Sequence, residues 1–326
     1  MVKELSQQLF DDVINQNTAV SLLSVALKKN QIAPAYLFSG PSGVGRSLTA
    51  RRFLEGLITG GIPEIRERRR VEALNHPDLI WIEPTYLHQG KLIPQSNASN
   101  ETISRRNPPQ IRLEQIKAIK AFLSKKPLEA DLGMVVIDAF EMMNESASNA
   151  LLKTLEEPRN GTLILITEKP ESILDTIRSR CQIIPFNRLN KEAIEKVLSK
   201  IKSMKMPDIE YALQQKELIN LSNGSPGALI KNIEIWQEFP QELWDSLKTL
   251  PQQPIEALSL ARDITDQLDI QQQLWLINWL QYYLWRQNND AIPIRKLEIL
   301  RSQLNSFVQP RLAWEVTLLR IIQAIT

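Results

Sequence analysis

The first part of the chain alternates short apolar runs with longer polar or amphipathic stretches. The segments that follow the runs have the spacing of helices or the composition of loops. Continuous apolar runs are typical of strands that are buried on both faces of a parallel sheet. The pattern therefore predicts an α/β domain with strands at Tyr36–Ser39, Leu79–Ile82, Met134–Ile137, Leu163–Ile166 and Ile183–Phe186.

The pattern becomes helical after Phe186. Short amphipathic segments continue to Trp236, and from about Glu242 the spacing is helical with breaks at prolines. We therefore expect three domains, namely an α/β domain over residues 1–187, a small helical domain over 188–238 and an all-α domain over 239–326.

An aromatic stripe stands out in the helical part. Trp275, Trp279 and Tyr282 or Tyr283 recur at helical spacing. Such a stripe is either a stacking platform for nucleic-acid bases or part of a core or subunit interface. We favour the core or interface, because aromatic side chains on a long helix usually pack against other elements.

The segment Gly90–Pro109 differs from its neighbours in composition. It is rich in Asn, Ser and Pro and carries Arg105 and Arg106. These residue types favour turns, so the segment is predicted to be a long mobile loop.

A glycine-rich run follows the first predicted strand and reads Gly40-Pro41-Ser42-Gly43-Val44-Gly45-Arg46-Ser47. A strand, this run and a following helix are the context of a phosphate-binding loop, whose backbone N–H groups hold phosphates. A lysine normally reaches those phosphates, and Arg46 is a larger, planar cation in its place. We expect a nucleotide-type site with weakened chemistry, built from Gly40, Gly43, Gly45, Arg46 and Ser47.

A second motif of the same chemistry ends the third apolar run. Asp138 follows Met134–Ile137, where an aspartate holds magnesium in P-loop ATPases. The next residue is commonly a glutamate that activates the attacking water, and here it is Ala139. Glu141 comes shortly afterwards and is expected to point elsewhere, so no general base remains at this position.

Composition adds limits to this picture. Lys plus Arg number 39 against 37 Asp plus Glu, so the chain has no overall positive field for nucleic acid. The single cysteine, Cys181, excludes a disulfide framework and is as expected for a protein of the reducing cytoplasm. Neither a secretion signal nor a membrane-spanning apolar stretch is evident.

Four segments together match one family: Phe10–Gln16, Ala35–Pro41, Asn149–Pro158 and Ser179–Cys181. With these residues the chain resembles the bacterial clamp-loader ATPases of the AAA+ class from about Phe10 to Leu229. The later segments resemble the family only in being helical. The resemblance implies an AAA+ P-loop domain with a parallel sheet, a small helical lid domain and an all-α collar domain that assembles with other subunits.

Within this family, motor subunits hydrolyse ATP and a stationary subunit supports them. Arg46 replaces the loop lysine, Ala139 replaces the catalytic glutamate, and Gly227 stands where motors usually carry a phosphate-sensing arginine. All three changes affect groups that stabilise one phosphoryl transfer. The chain thus resembles the stationary type, with ATP or ADP as the candidate cofactor, bound without hydrolysis.

Two further residues take roles from the resemblance. Arg180 matches the family's arginine finger, which acts in trans on ATP bound by a neighbouring subunit. The alternative is a surface arginine in a helix-to-strand turn. Thr167 stands where the family places a polar sensor of the terminal phosphate. Cys181 is expected to be a buried small residue rather than a nucleophile, because neither histidine is near it in sequence.

The segment His76–Asp78 resembles the end of the family's small zinc module. The cysteines that should precede it are missing between Leu57 and Asn75, so we expect no zinc and no other metal site. Arg66–Arg70 occupies that stretch instead and predicts a solvated helix face, with a phosphate contact as the less favoured alternative.

The resemblance implies a scaffold within a cytoplasmic clamp loader. Its partners would be motor subunits of the gamma/tau type and a clamp-opening subunit of the delta type, with the sliding clamp and primed DNA reached through the complex. One alternative is an active motor ATPase, which the lost motif residues argue against. The other is a stand-alone AAA+ DNA-repair ATPase, which the near-neutral charge argues against.

Overall fold

A computed structural model describes residues 8–88, 90–97, 108–157, 161–200, 215–249, 251–288, 290–306 and 308–325. These residues fall into two compact units, one within residues 1–201 and one within 202–326. The predicted division into three domains is not tested by this separation and stays a prediction. In the part of the chain that the structure describes, no helix is long and apolar enough to cross a membrane.

The first unit contains a five-stranded parallel sheet. Its strands are β1 (Ala35–Ser39), β2 (Leu79–Ile82), β5 (Gly133–Ile137), β6 (Gly161–Thr167) and β7 (Gln182–Pro185), in the order β2–β5–β6–β1–β7. Every residue of β5 is buried, as is β6 from Thr162 onward, which fits strands covered on both faces. The five predicted strands and the parallel α/β fold are confirmed.

Seven helices are described in this unit: α1 (Asn17–Lys29), α2 (Arg46–Thr59), α3 (Ile65–Glu72), α4 (Leu113–Leu123), α5 (Glu145–Glu156), α6 (Asp175–Arg178) and α7 (Lys191–Lys200). The Asn144 side-chain oxygen accepts a 2.8 Å hydrogen bond from the Ala147 backbone N–H and so caps α5. Ile119 of α4 and Leu151 of α5 are fully buried in one apolar cluster with Val135 of β5. This packing fixes the strand ends that carry the site. Pro158 lies outside the described residues.

A small hairpin replaces part of the loop predicted at residues 90–109. β3 (Thr85–His88) pairs antiparallel with β4 (Lys91–Pro94), and a 3-10 turn covers Gln95–Asn97. Gly90 has a φ of 78°, which glycine adopts without strain in a tight turn. The loop prediction is wrong for residues 91–94, because cross-strand pairs such as Leu87 with Leu92 outweigh the loop-like composition. Residues 98–107 lie outside the described residues.

The second unit has no strand among its described residues. Its helices are α8 (Lys216–Ser222), α9 (Pro226–Glu238), α10 (Gln241–Thr249), α11 (Pro254–Gln267), α12 (Ile270–Asn288), α13 (Ala291–Asn305) and α14 (Pro310–Ile325). Trp236 stacks on Trp244 with 3.9 Å between ring centroids, and Trp279 stacks on Tyr283 at 4.8 Å. Trp275 and Trp279 are buried, so the core interpretation of the aromatic stripe is confirmed for these two residues.

Candidate nucleotide-binding site

The glycine-rich loop joins β1 to α2 at the carboxyl edge of the sheet. Gly40, Gly43 and Gly45 have φ values of 152°, 70° and 103°, in the region that side chains disfavour. A Cβ atom added at Gly40 would lie 2.3 Å from the Phe186 carbonyl oxygen. The loop therefore follows a path that depends on glycine, and it ends at the N-terminus of a 14-residue helix, where free backbone N–H groups favour an anion.

A cavity of about 790 Å³ lies beside this loop, and five of the predicted residues line it: Gly43, Gly45, Arg46, Ser47 and Asp138. Gly40 and Thr167 are not among the lining residues. The Gly40 N–H donates a 3.2 Å hydrogen bond to the Thr167 carbonyl, so the first residue after β1 is bonded to the last residue of the adjacent strand β6. The cavity volume falls within the range of about 300–1,000 Å³ that is usual for small-molecule sites.

Arg46 is buried at the start of α2, with a side chain that is 8% exposed. Its Nη2 atom lies 3.5 Å from Glu168 Oε1, whereas Nη1 is buried without a hydrogen-bond partner. Burial lowers the pKa of Arg46, and the nearby carboxylates of Glu168, Asp138 and Glu141 only partly offset this effect. The guanidinium can thus accept a further anionic partner from the cavity.

Ser47 and Asp138 lie next to each other in the lining of the cavity. The Ser47 hydroxyl donates a 3.3 Å hydrogen bond to Asp138 Oδ2, and the Ala139 N–H donates one of 2.9 Å to Oδ1. Burial raises the pKa of Asp138 above its usual range. A hydroxyl and a carboxylate are oxygen ligands that magnesium accepts, and with two protein oxygens the ion would rely on nucleotide phosphates and water for its other ligands.

Glu141 does not point away from the site as expected. It lies in the 3-10 turn Phe140–Met142, and this turn brings its side chain to the lining of the same cavity. Its Oε2 atom is buried without a hydrogen-bond partner. The expectation is wrong because Ala139 takes a left-handed conformation (φ 48°), which turns the chain back towards the cavity directly after Asp138.

Thr167 ends β6 and is fully buried. Its hydroxyl oxygen accepts a 3.1 Å hydrogen bond from the Lys169 N–H, and its main chain bonds Gly40. Thr167 therefore stabilises the edge of the sheet beneath the loop, and its role as a phosphate sensor stays a prediction.

Arg180 lies on the surface of the first unit, just after α6, and is not among the residues that line the cavity. Its Nη1 atom donates a 2.8 Å hydrogen bond to the Thr176 carbonyl, and Nη2 lies 3.0 Å from Glu156 Oε1. The side chain remains 38% exposed. The guanidinium is thus held at the surface by two partners.

Cys181 follows directly and is half-buried. Burial raises the pKa of its thiol to about 11. The thiol is therefore protonated at neutral pH, in keeping with the expectation of a packing residue rather than a nucleophile.

His76 occupies the segment that resembles the end of a zinc module. It is buried, its Nδ1 atom accepts a 3.1 Å hydrogen bond from the Asp78 N–H, and its Nε2 atom lies 3.9 Å from Glu67 Oε2. Among the described residues, no group of three His, Cys, Asp or Glu side chains is arranged to hold a metal ion. The absence of zinc itself stays a prediction.

The Arg66–Arg70 stretch forms α3, and the prediction of a solvated face is wrong for part of it. Glu67 is buried, Arg68 pairs with Glu55 at 2.8 Å, and Arg70 pairs with Glu129 at 2.7 Å. Sequence alone did not indicate these partners, because they come from other elements of the unit. Arg66 is exposed as predicted.

Several lining residues outside the predicted loop were not predicted: Leu48, Glu83, Pro84, Gln95, Met142, Glu168, Lys169 and Ser172. Glu168 is the most consequential of them because it contacts Arg46. A signal for it exists in the sequence, since Glu168 follows the end of β6 and the carboxyl ends of parallel strands meet at one edge of a sheet.

The parallel sheet, the glycine loop at the N-terminus of α2, and Asp138 facing Ser47 define a P-loop nucleotide-binding domain of the AAA+ class. Two family models then match in succession. The model described as DNA polymerase III, delta subunit, matches residues 15–190, and the cyanobacterial DNA polymerase III delta prime C-terminal domain matches residues 192–321. The chain belongs to the delta-prime family of DNA polymerase III clamp-loader subunits.

Individual relatives agree with this family. DNA polymerase III subunit delta' of Bacillus subtilis is 36% identical over 189 residues, which are 55% of this chain and 50% of that protein. The tau subunit of the same organism is 30% identical over 210 residues, which are 62% of this chain and 33% of that protein. The matched region thus spans half or less of these relatives.

A solved structure from Thermotoga maritima, titled as a DNA polymerase III gamma-subunit-related protein, shares the fold. It aligns with 94% of this chain and 99% of its own, with a TM-score of 0.52 and 17% sequence identity. The family models and the relatives confirm the clamp-loader resemblance drawn from the motifs, and this structure supports the fold class.

Proposed function

We propose that this chain is a stationary subunit of a bacterial clamp loader. It supports ATP-driven loading of a sliding clamp onto primed DNA and presents Arg180 to ATP bound by an adjacent motor subunit. The observation that carries the proposal is the position of Arg180, which is exposed, held by Glu156 and Thr176, and absent from the lining of the chain's own cavity. An arginine placed in this way can stabilise transition-state charge only in a neighbour's site.

The composition of the chain's own cavity supports the same proposal. Position 139 carries alanine, whose side chain cannot take a proton from water, and its N–H is used to bond Asp138. Arg46 is paired with Glu168. The cavity therefore retains the architecture of a nucleotide site, and we propose that ATP or ADP is its ligand, bound without hydrolysis.

The partners follow from the family. We propose that the chain assembles with motor subunits of the gamma/tau type and with a clamp-opening delta-type subunit, and that it meets the clamp and DNA through that complex. Similarity to proteins named delta' and tau supports this assignment. A loader works where the chromosome is copied, so the proposed location is the cytoplasm.

The decisive experiment compares two arginine variants in a reconstituted loader. Arg180→Ala should assemble normally but depress DNA- and clamp-stimulated ATP turnover, because loss of such a finger costs roughly a thousandfold or more at the affected site. Arg178→Ala is the matched control, since Arg178 is 43% exposed, lies in the same surface segment and pairs with Asp175. Gel filtration checks assembly of both.

Clamp loading should fall at least as far as total ATP turnover, because other motor sites keep their own fingers. If Arg180→Ala leaves both rates equal to those of Arg178→Ala, Arg180 is a surface arginine and the proposal is wrong.

One observation favours the active-motor alternative. Glu141 lines the cavity with a buried, unpartnered carboxylate oxygen, which is a feature of a general base. If the isolated chain hydrolyses ATP and Glu141→Gln abolishes that activity, the chain is a motor with a displaced base.

A further inference from the structure

One deeply buried cation and four carboxylates line the cavity beside the loop. Arg46 is the buried cation, with an Nη1 atom that has no hydrogen-bond partner. The carboxylates belong to Glu83, Asp138, Glu141 and Glu168. A buried, unpartnered donor indicates an anionic ligand, whereas carboxylates around it disfavour one.

Glu168 has the most direct relation to Arg46. Its Oε1 atom is 3.5 Å from Arg46 Nη2, and this is the only ion pair of Arg46 among the described residues. The contact is long for a charge-assisted hydrogen bond, which is usually about 2.7–2.9 Å. The carboxylate is thus close enough to attract the guanidinium but does not saturate its donors.

Glu168 is also placed so that it can exchange with a ligand. Its side chain is 43% exposed, whereas that of Arg46 is 8% exposed. The acidic partner is therefore the one that can move into solvent when another anion reaches the loop. A phosphate held at the N-terminus of α2 would meet Arg46 and repel a carboxylate that stayed in place.

We propose that Glu168 limits the affinity of the cavity for nucleotides. Its carboxylate competes with nucleotide phosphates for the guanidinium of Arg46 and so keeps that affinity low. The inference rests on the proposed non-hydrolysing nucleotide site. It assigns a role to a residue that lies outside the glycine loop and outside the strand that carries Asp138.

The expected size of the effect follows from the charges. Removing this competing charge should free the guanidinium and strengthen phosphate binding roughly tenfold. Glu168→Gln removes the charge and keeps the shape. Because the residue is partly exposed, this change should leave the fold intact, which circular dichroism and the thermal unfolding midpoint will check.

The experiment measures binding of ADP to the full chain by calorimetry, with and without magnesium. Glu168→Gln should bind ADP at least tenfold more tightly than the unaltered chain. Glu171→Gln is the matched control, because it removes an exposed carboxylate nearby that does not line the cavity. Its affinity should equal that of the unaltered chain.

A double variant tests whether the increase in ADP affinity depends on Arg46. Arg46→Met combined with Glu168→Gln should lose the gain, because methionine fills similar space without charge. Pyrophosphate serves as a second probe, and its binding should rise in parallel if the phosphates alone are responsible.

Equal ADP affinity in Glu168→Gln and Glu171→Gln would overturn the inference, as would a gain that survives in the double variant. Failure of both the unaltered chain and Glu168→Gln to bind ADP would also overturn it. The proposed stationary role is tested separately, since the role of Arg180 is read from turnover in neighbouring subunits and does not depend on this cavity.

Discussion

Arg180 and Glu156 form an ion pair of 3.0 Å between Nη2 and Oε1, which joins the end of α5 to the turn after α6. A second hydrogen bond of 2.8 Å, to the Thr176 carbonyl, holds the other nitrogen of the same guanidinium. Both charged side chains are exposed, at 38% and 52%, so the pair adds little to stability. Its effect is to fix where the guanidinium points, and orientation is what a catalytic group supplied in trans requires.

Glu156 is therefore predicted to act as a positioning residue for Arg180. In a reconstituted loader, Glu156→Ala should reduce clamp-stimulated ATP turnover by roughly tenfold, less than Arg180→Ala, because the guanidinium remains but loses one of its two anchors. Glu157→Ala is the control, since Glu157 is the neighbouring exposed carboxylate and, among the described residues, Arg180 forms its ion pair with Glu156 instead. The conservative variant Glu156→Gln should keep part of the ATP turnover, because its amide oxygen can still accept a hydrogen bond from Arg180. A Glu156→Ala rate equal to that of Glu157→Ala would show that the pair does not orient the finger.

The isolated chain is predicted to show no ATP hydrolysis above background. Arg46→Lys should not restore it, because the lysine would return the point charge but Ala139 would still provide no base, and a general base alone is worth about a hundredfold to ten-thousandfold in rate. The measurement is steady-state phosphate release by purified chain, with a hydrolysing motor subunit as the positive control. Turnover at the rate of that motor, in either form, would contradict the stationary assignment.

The thiol of Cys181 is predicted to react slowly in the folded chain. Its pKa of about 11, against an ordinary value of 9.0, means that burial favours the neutral form. At pH 8 the thiolate fraction should be roughly a hundredfold lower than in the unfolded chain. Since Cys181 is the only cysteine, iodoacetamide labelling followed by mass spectrometry reports this residue alone.

The raised pKa of Cys181 also predicts how the stability of the fold depends on pH. The thiol favours the folded state below pH 9, and this contribution is lost as the pH rises from about 9 towards 11, because the unfolded chain ionises first. The labelling rate of the folded chain should keep rising through this interval. A plateau near pH 9 would show that the thiol is not desolvated.

Trp279 is predicted to be a main support of the second unit. It is fully buried, packs edge-on to Trp244 at 4.9 Å and donates from Nε1 to Glu217 at 3.1 Å. Trp279→Ala should lower the free energy of unfolding by about 3–5 kcal/mol. Trp285 lies on the same helix but is 50% exposed. Trp285→Ala should therefore change the free energy of unfolding by about 0.5 kcal/mol or less. Urea unfolding followed by circular dichroism compares the two, and equal effects would contradict the assignment of Trp279 to the core.

Much of the architecture could be predicted from local pattern. Apolar runs such as Met134–Ile137 marked buried strands, because a strand covered on both faces has no polar position to interrupt it. The glycines of the loop marked its path, since Gly40 and Gly45 hold backbone angles that other residues resist. The hairpin at β3 and β4 was missed because its stability comes from pairing between strands, which composition does not report.

The chain by itself determined the family, the parallel α/β domain and the candidates Arg46, Asp138 and Arg180, because each rests on residue types at fixed local spacing. Only the tertiary structure decided which groups meet. It brought Glu168 to Arg46 across 122 positions and Glu156 to Arg180 across 24, and it turned Glu141 into the cavity. The physical reason is that ion pairs and cavity linings depend on distances of a few ångströms, and these distances are set by how strands and helices pack rather than by order along the chain.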